Sequence, residues 1–192
     1  MPRIIPGYKD EVKKKIVEAA YGYFLQKGYH GTTMNEIAES LGVTKPALYH
    51  FFPGKEDLYA AVAERGREEL AAILERSYNN RDFRTGSEIL FDTLAGYVIH
   101  FNNIYSEMFI LAGHNERIRT LLKEDRIEDI NVIERFIARQ QETGLVSDQH
   151  DPHILAITLD ALMNGLLIDI IAGMDKEAAK KIWIAGVTQL TD

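Results

Sequence analysis

Residues 32–58 read TTMNEIAESLGVTKPALYHFFPGKEDL and hold the polar groups most able to act together. They are the hydroxyls of Thr33 and Thr44, the amide of Asn35, the ammonium groups of Lys45 and Lys55, the phenol of Tyr49 and the imidazole of His50. No nucleophile is paired with a base among them; they are hydrogen-bond donors and cations, suited to phosphate oxygens and base edges. A hydroxyl beside the free N–H groups of a helix start is a ready anion site. Lysine matches guanine O6 or N7, whereas Pro46 and Ala47 can offer only apolar contact, as to a thymine methyl. Lys55 falls in the first turn of a helix, where a cation opposes the helix dipole; a neighbouring phosphate would relieve that cost. Asn35 can reach a base or a phosphate, or stand idle at the surface.

Other chemistry is poorly supported. No glycine-rich phosphate loop, nucleophile elbow or HExxH pattern occurs. There is no cysteine, hence no disulfide framework and no thiolate ligand or nucleophile. His150 and His153 have zinc-like spacing but no third ligand nearby, and they read as loop histidines beside the cap Asp151. The expectation is therefore no catalytic residue, no metal, no cofactor and no enzyme.

The elements that must hold the polar groups are two short helices and a tight turn. Thr33 can cap the first, with Glu36 three residues on closing a capping box. Ile37, Ala38 and Leu41 give that helix one apolar face. Gly42 stands where the helix stops and a residue tolerating positive φ is favoured. Val43 plugs the corner. Thr44 can cap the next helix, with Pro46 in its first turn. Leu48 and Phe52 point to the core, leaving Lys45, Ala47, Tyr49 and His50 outward. A short outward-facing helix braced by another across such a turn is a helix-turn-helix.

The surrounding punctuation is all-helical. Residues 10–27 form a first helix with Val12, Ile16, Ala19, Ala20, Tyr23 and Phe24 on one stripe, ended by Gly28. A fourth helix runs from about 54 to 77, and the polar stretch 78–86 breaks the chain. A long helix from Ser87 to about Tyr105, a short one over 106–112 and an amphipathic one over 116–142 follow. Asp151 then caps a helix with Pro152 at its first position, and Asp175 caps the last. The domain expectation is 1–53 for the helix-turn-helix unit and 54–192 for a helical remainder.

The net charge of −7 argues at first against a nucleic-acid partner. Its distribution does not: residues 1–60 carry eight Lys/Arg against seven Asp/Glu, and the rest carries 14 against 22. Lys13, Lys14 and Lys15 form a basic cluster, either a solvated face or a phosphate contact. The stretch 154–173 is about as long as a membrane span, but Asp160, Asn164 and Asp169 recur in it, and such groups are costly in a bilayer. It reads as a buried or partner-facing helix, with no membrane partner. The first residues lack the apolar run of a signal peptide, in keeping with a cytoplasmic location.

The run TT-x-x-x-IA-x-x-LGVTKPALYHFF-x-x-KEDL resembles the DNA-binding signature of the tetracycline-repressor (TetR) family of regulators. Residues 10–60 carry specific matches; beyond them only the helical pattern is similar, including the passage at 144–156. The resemblance implies an all-α homodimeric repressor with an N-terminal helix-turn-helix domain. It implies a C-terminal domain that binds an inducer and dimerises through the last two long helices. It assigns the Tyr49 hydroxyl to a backbone phosphate and gives Thr33 and Thr44 a phosphate role besides capping. Two positions depart from the pattern: Phe51 stands where His or Tyr is frequent, and Pro46 where glycine is common.

The implied partners are double-stranded DNA as a palindromic operator, a partly apolar small-molecule inducer, and a second copy of the chain. Helix phase nominates Tyr97, His100, Phe101, Tyr105 and Asn131 for the small-molecule pocket. It nominates Leu155, Leu159, Leu162, Met163, Leu166 and Trp183 for the dimer surface. The competing reading is a helical small-molecule-binding protein with a vestigial DNA-binding domain.

Overall fold

The computed structural model describes residues 8–191, and their side chains except those of residues 98–106. Among the described residues it is all α, with eight helices: α1 (Tyr8–Lys27), α2 (Met34–Ser40), α3 (Lys45–Phe51), α4 (Lys55–Tyr78), α5 (Phe83–Ala112), α6 (Glu116–Glu142), α7 (Pro152–Ile171) and α8 (Lys176–Thr191). The chain divides into two compact units, one of residues 1–66 and 103–125, the other of 67–102 and 126–192. The unit boundaries fall inside α4, α5 and α6. The first unit thus extends past residue 53 and takes back a second segment, because Met108 and Ile118 lie fully within its apolar core.

That first core is built from the expected stripes. Ile16, Ala20 and Phe24 of α1, Ile37 and Ala38 of α2, and Leu48 of α3 are buried, and Phe52 closes the end of α3. Leu58, Tyr59 and Val62 supply the α4 side. Gly42 adopts φ +64° in the turn between α2 and α3, in the left-handed region where a Cβ is penalised.

In the second unit Tyr78 organises the packing. Its ring centroid lies 4.9 Å from that of Phe83 and 4.8 Å from that of Phe136, and its hydroxyl is 2.7 Å from the Ser87 hydroxyl. Gly86 makes this possible, because a Cβ there would come within 2.2 Å of the Tyr78 ring. The Trp183 indole donates to the Ser87 carbonyl at 2.9 Å and ties α8 to α5.

Two sequence expectations differ here. The fifth helix begins at Phe83, four residues before Ser87, because Asp82 caps it by accepting from the Thr85 N–H at 2.9 Å. It also runs unbroken to Ala112, so 106–112 is no separate helix: nothing between Tyr97 and Ala112 is a glycine or proline that would stop it.

The dimer nomination needs the larger correction. Leu155, Leu159, Met163, Leu166 and Trp183 are 2–6% exposed within a single chain and belong to the core of the second unit. Leu162 is half-buried against the same core, beside Gly186. The outward face of α7 carries Ile154, Ile157, Ile168 and Ile171 instead. A helix apolar on all sides gives periodicity nothing to discriminate, so sequence phase selected the wrong face. By length and composition α7 would suffice to cross a membrane. Here its inner face packs on the protein core, and Asp160 pairs with Arg126 of α6.

Candidate nucleic-acid interface

The exposed side of the helix-turn-helix is built from caps upward. Thr33 accepts the Glu36 N–H at 3.2 Å while Glu36 accepts the Thr33 N–H at 2.9 Å, which completes the capping box. The Thr33 hydroxyl also donates to Glu36 at 2.8 Å, so its proton is committed inside the box. Lys27, at the end of α1, donates to the other Glu36 oxygen at 2.7 Å. These donors, the Lys27 ammonium first and Thr33 next, hold the Glu36 carboxyl down to about 2. The same pair raises Lys27 above its usual range. The end of α1 and the start of α2 are thus clamped together.

Thr44 caps α3 by accepting the Ala47 N–H at 3.4 Å, using only a lone pair of the hydroxyl oxygen. Pro46 sits in the first turn of α3, where its missing N–H has no helical partner to lose. With Leu48 fully buried, Lys45, Pro46, Ala47, Tyr49 and His50 are all exposed, as are Thr33, Asn35 and Thr44. Burial of one residue in a seven-residue helix orients all the others. The Lys45 ammonium lies 5.7 Å from the Tyr49 ring centroid, one turn on, so cation and phenol share one ridge. Lys13 lies 5.9 Å from the Phe52 ring, while Lys14 and Lys15 are exposed on α1.

Lys55 differs from the others. Its ammonium stands 4.2 Å from the Tyr29 ring centroid and is half-buried, and that burial lowers its pKa against the opposing pull of Glu107, Glu56 and Glu36. The ring thus supplies part of the relief that a phosphate was expected to give. Burial likewise raises the Tyr29 hydroxyl.

Sequence reasoning missed Glu107. From the second segment of this unit it accepts the His30 N–H at 2.8 Å and lies against Gly28, whose φ of +71° and lack of Cβ admit the carboxylate. Arg117 donates to Asp57 at the start of α4 and makes a second tie within the unit. Partners 60 and 77 residues apart leave no local sequence signal.

Two of the nominated small-molecule residues are described in the second unit. Tyr97 and Asn131 are half-buried in the second unit, and Tyr97 packs against its core. His100, Phe101 and Tyr105 fall in the stretch whose side chains are outside the described residues. An open groove of about 570 Å³ in this unit is lined by Arg84 and Glu88 of α5 and by Lys180, Lys181, Thr188 and Gln189 of α8, and it includes none of the nominated residues. His153 is 2.6 Å from Glu134, an ordinary surface pairing.

Residues 16–62 match the family model described as bacterial regulatory proteins, tetR family. Over 106 residues the chain is 35% identical to the helix-turn-helix transcriptional activator FasR of Mycolicibacterium smegmatis, a match spanning 50% of this chain and 48% of that one. It therefore spans about half the length of that relative. Over 182 residues it is 24% identical to a helix-turn-helix transcriptional repressor of Mycobacterium tuberculosis, covering 92% of this chain and 91% of the other. Among solved structures, a Saccharomonospora viridis protein in complex with choline has the same fold, with a TM-score of 0.63 at 20% identity over 93% of this chain and 96% of that one.

Proposed function

From the premise that this chain belongs to the tetR family of bacterial regulatory proteins, we propose that it is a cytoplasmic, homodimeric repressor whose grip on a palindromic operator is released by a small molecule. The observation that carries the DNA-binding part is the single buried residue of α3: Leu48 anchors the helix so that Lys45, Pro46, Ala47, Tyr49 and His50 stand together on its open side. α3 enters the major groove, where Lys45 reads a guanine edge and Pro46 and Ala47 meet apolar base surface. Thr44, Tyr49 and Lys55 contact phosphates, with Thr33 and Asn35 at the margin.

Two copies associate through the outward faces of α7 and α8, where Ile154, Ile157, Ile168, Ile171 and Ile182 are exposed. Exposed large apolar side chains of this kind favour association. It sets two recognition helices about 34 Å apart, one turn of DNA. A small molecule in the second unit, near Tyr97, His100, Phe101 and Asn131, favours a spacing that no longer fits the operator; Tyr105 falls in the first unit and is left out of this pocket. By linkage the operator must weaken that molecule's binding by the same factor. The choline held by the Saccharomonospora viridis protein makes choline a reasonable first probe.

The test is a footprint of the full-length chain on the DNA flanking its own gene. Two protected half-sites one helical turn apart are expected. A chain that protects no site there, at salt low enough for phosphate contacts to form, is a small-molecule-binding protein with a vestigial DNA-binding domain instead.

A further inference from the structure

Other lysines of this fold spend their hydrogens on carboxylates. Lys27 donates to Glu36 at 2.7 Å, and Lys180 donates to Asp92 at 2.6 Å. Lys55 is held in another way. Its ammonium stands 4.2 Å from the centroid of the Tyr29 ring, and Glu107, Glu56 and Glu36 lie near enough to act on its charge. Among the described residues, however, it makes no salt bridge and no hydrogen bond with these carboxylates. A ring face attracts a cation through its quadrupole and does not consume an N–H as an oxygen would. An ammonium has three donors, and those of Lys55 remain unspent.

The ring itself is fixed. Tyr29 is buried, stacks at 5.8 Å on the Phe24 ring and meets the Tyr59 ring edge-on at 6.0 Å. The turn that carries it, residues 28–32, is closed from within by the buried Thr32 hydroxyl, which donates to the Gly28 carbonyl at 2.8 Å. Glu107 closes it from the other side. Its carboxylate accepts the N–H of His30, the residue after Tyr29, at 2.8 Å and fills the space beside Gly28. A buried hydroxyl and a carboxylate distant in sequence thus hold one aromatic face under one lysine.

We propose that Tyr29 is the positioning residue of the Lys55–phosphate contact, and that Glu107 holds Tyr29 in place through the His30 N–H. This rests on the DNA-binding reading above and adds what aims its lysine. A free lysine side chain loses rotamer freedom when it docks on a phosphate. One already resting on a ring has lost part of that freedom before DNA arrives, so less is lost on binding. The ring keeps the ammonium at the first turn of α4 without occupying the donors that a phosphate needs. A carboxylate in its place would first have to be displaced.

The test uses the full-length chain and two duplexes, one of DNA flanking its own gene and one of random sequence and equal length, with affinity measured over a salt series. Tyr29→Phe keeps the ring and is expected to bind as the unsubstituted chain does. Tyr29→Leu keeps apolar volume but removes the face. It should weaken binding to both duplexes by about threefold to tenfold, the effect of ordering one long side chain, with a shallower salt slope. In a Lys55→Ala background the same change should leave affinity unaltered. Glu107→Ala is compared with Glu107→Gln, because the two have equal charge and the glutamine oxygen can still accept the His30 N–H. The alanine chain should bind about twofold to fivefold more weakly, again only while Lys55 is present. Glu107 is outside the buried core, so this comparison stands even where Tyr29→Leu does not fold. A further readout needs no DNA: the ring should move the Lys55 ε-methylene proton resonances upfield in the unsubstituted and Tyr29→Phe chains.

A Tyr29→Leu effect that persists without Lys55 returns Tyr29 to the core alone and overturns the proposal. Equal binding by the two Glu107 variants removes Glu107 from it. Lys55→Ala binding both duplexes as well as the unsubstituted chain overturns the proposal while DNA binding stands. An unsubstituted chain that binds neither duplex at low salt overturns the DNA-binding reading and this proposal together.

Discussion

At the scale of single residues, the interface separates into groups held for structure and groups left for recognition. Thr33 spends both its lone pair and its proton on Glu36, so its principal work is to start α2. Thr33→Ala should cost about 1 kcal/mol, measured by urea unfolding. Glu36 gives a pH signature. Its carboxyl is held at about 2, well below its ordinary 4.5, so its contribution is fully present above pH 4.5 and fades as pH falls toward 2. Unfolding free energy of Glu36→Gln should therefore converge on that of the unsubstituted chain along this acid limb, and a constant gap would refute the assignment. Lys45 and Lys55 should behave differently in a salt titration on operator DNA. Lys55→Ala weakens binding to all sequences and lowers the salt slope by about one unit. Lys45→Ala costs about 1–3 kcal/mol of discrimination between sites, because a base-edge contact carries the sequence information. Equal loss on operator and random DNA for Lys45→Ala would move it to the phosphate set.

At the scale of elements, most helices announce themselves through caps, and the exceptions have identifiable causes. Asp151 with Pro152, Thr44 with Pro46, and Thr33 with Glu36 are start signals that can be read directly, and each forms the cap its sequence suggests. Gly42 marks a stop because its φ of +64° disfavours any side chain. Nothing lies within 4 Å of a Cβ there, so Gly42→Ala should cost about 1 kcal/mol from backbone strain alone, with no packing penalty. Gly86 looks like a loop residue beside a polar stretch but lies inside α5, where the Tyr78 ring occupies the space of its missing side chain. Gly86→Ala should destabilise by about 1–3 kcal/mol through overpacking, despite the better helix propensity of alanine. Thermal unfolding that rises for this variant would contradict the contact. Asp82, rather than Ser87, starts α5, because an Asp three residues before Thr85 can satisfy both its N–H and its hydroxyl.

At the scale of the whole molecule, one face of α7 packs into the core and the other, exposed face is the one proposed for the dimer. Leu159→Ala removes a residue 6% exposed and should cost about 2–5 kcal/mol of folding stability. Ile157→Asp lies on the outward face and should leave the fold close to intact while dissociating the dimer, with operator affinity falling in step because one half-site alone is then held. Sedimentation and circular dichroism together separate the two outcomes; a dimeric Ile157→Asp chain would exclude this face. The first unit has its own whole-molecule feature. Its core closes only with Met108 and Ile118, and Glu107 and Arg117 tie that returning segment to the His30 N–H and to Asp57.

The sequence by itself determined the helix class, the two caps and the glycine turn of the helix-turn-helix, and the set of residues presented by α3. These depend on local rules: a hydroxyl three residues from a carboxylate, a residue that tolerates positive φ, and one buried leucine in a seven-residue helix. Only the tertiary structure decided which face of α7 is core, that Tyr29 lies beneath Lys55, and that Glu107 braces the turn after α1. The physical reason is the same in each case. A helix apolar all round has no preferred face until its neighbours choose one, and contacts between residues far apart in the chain leave no periodicity to read.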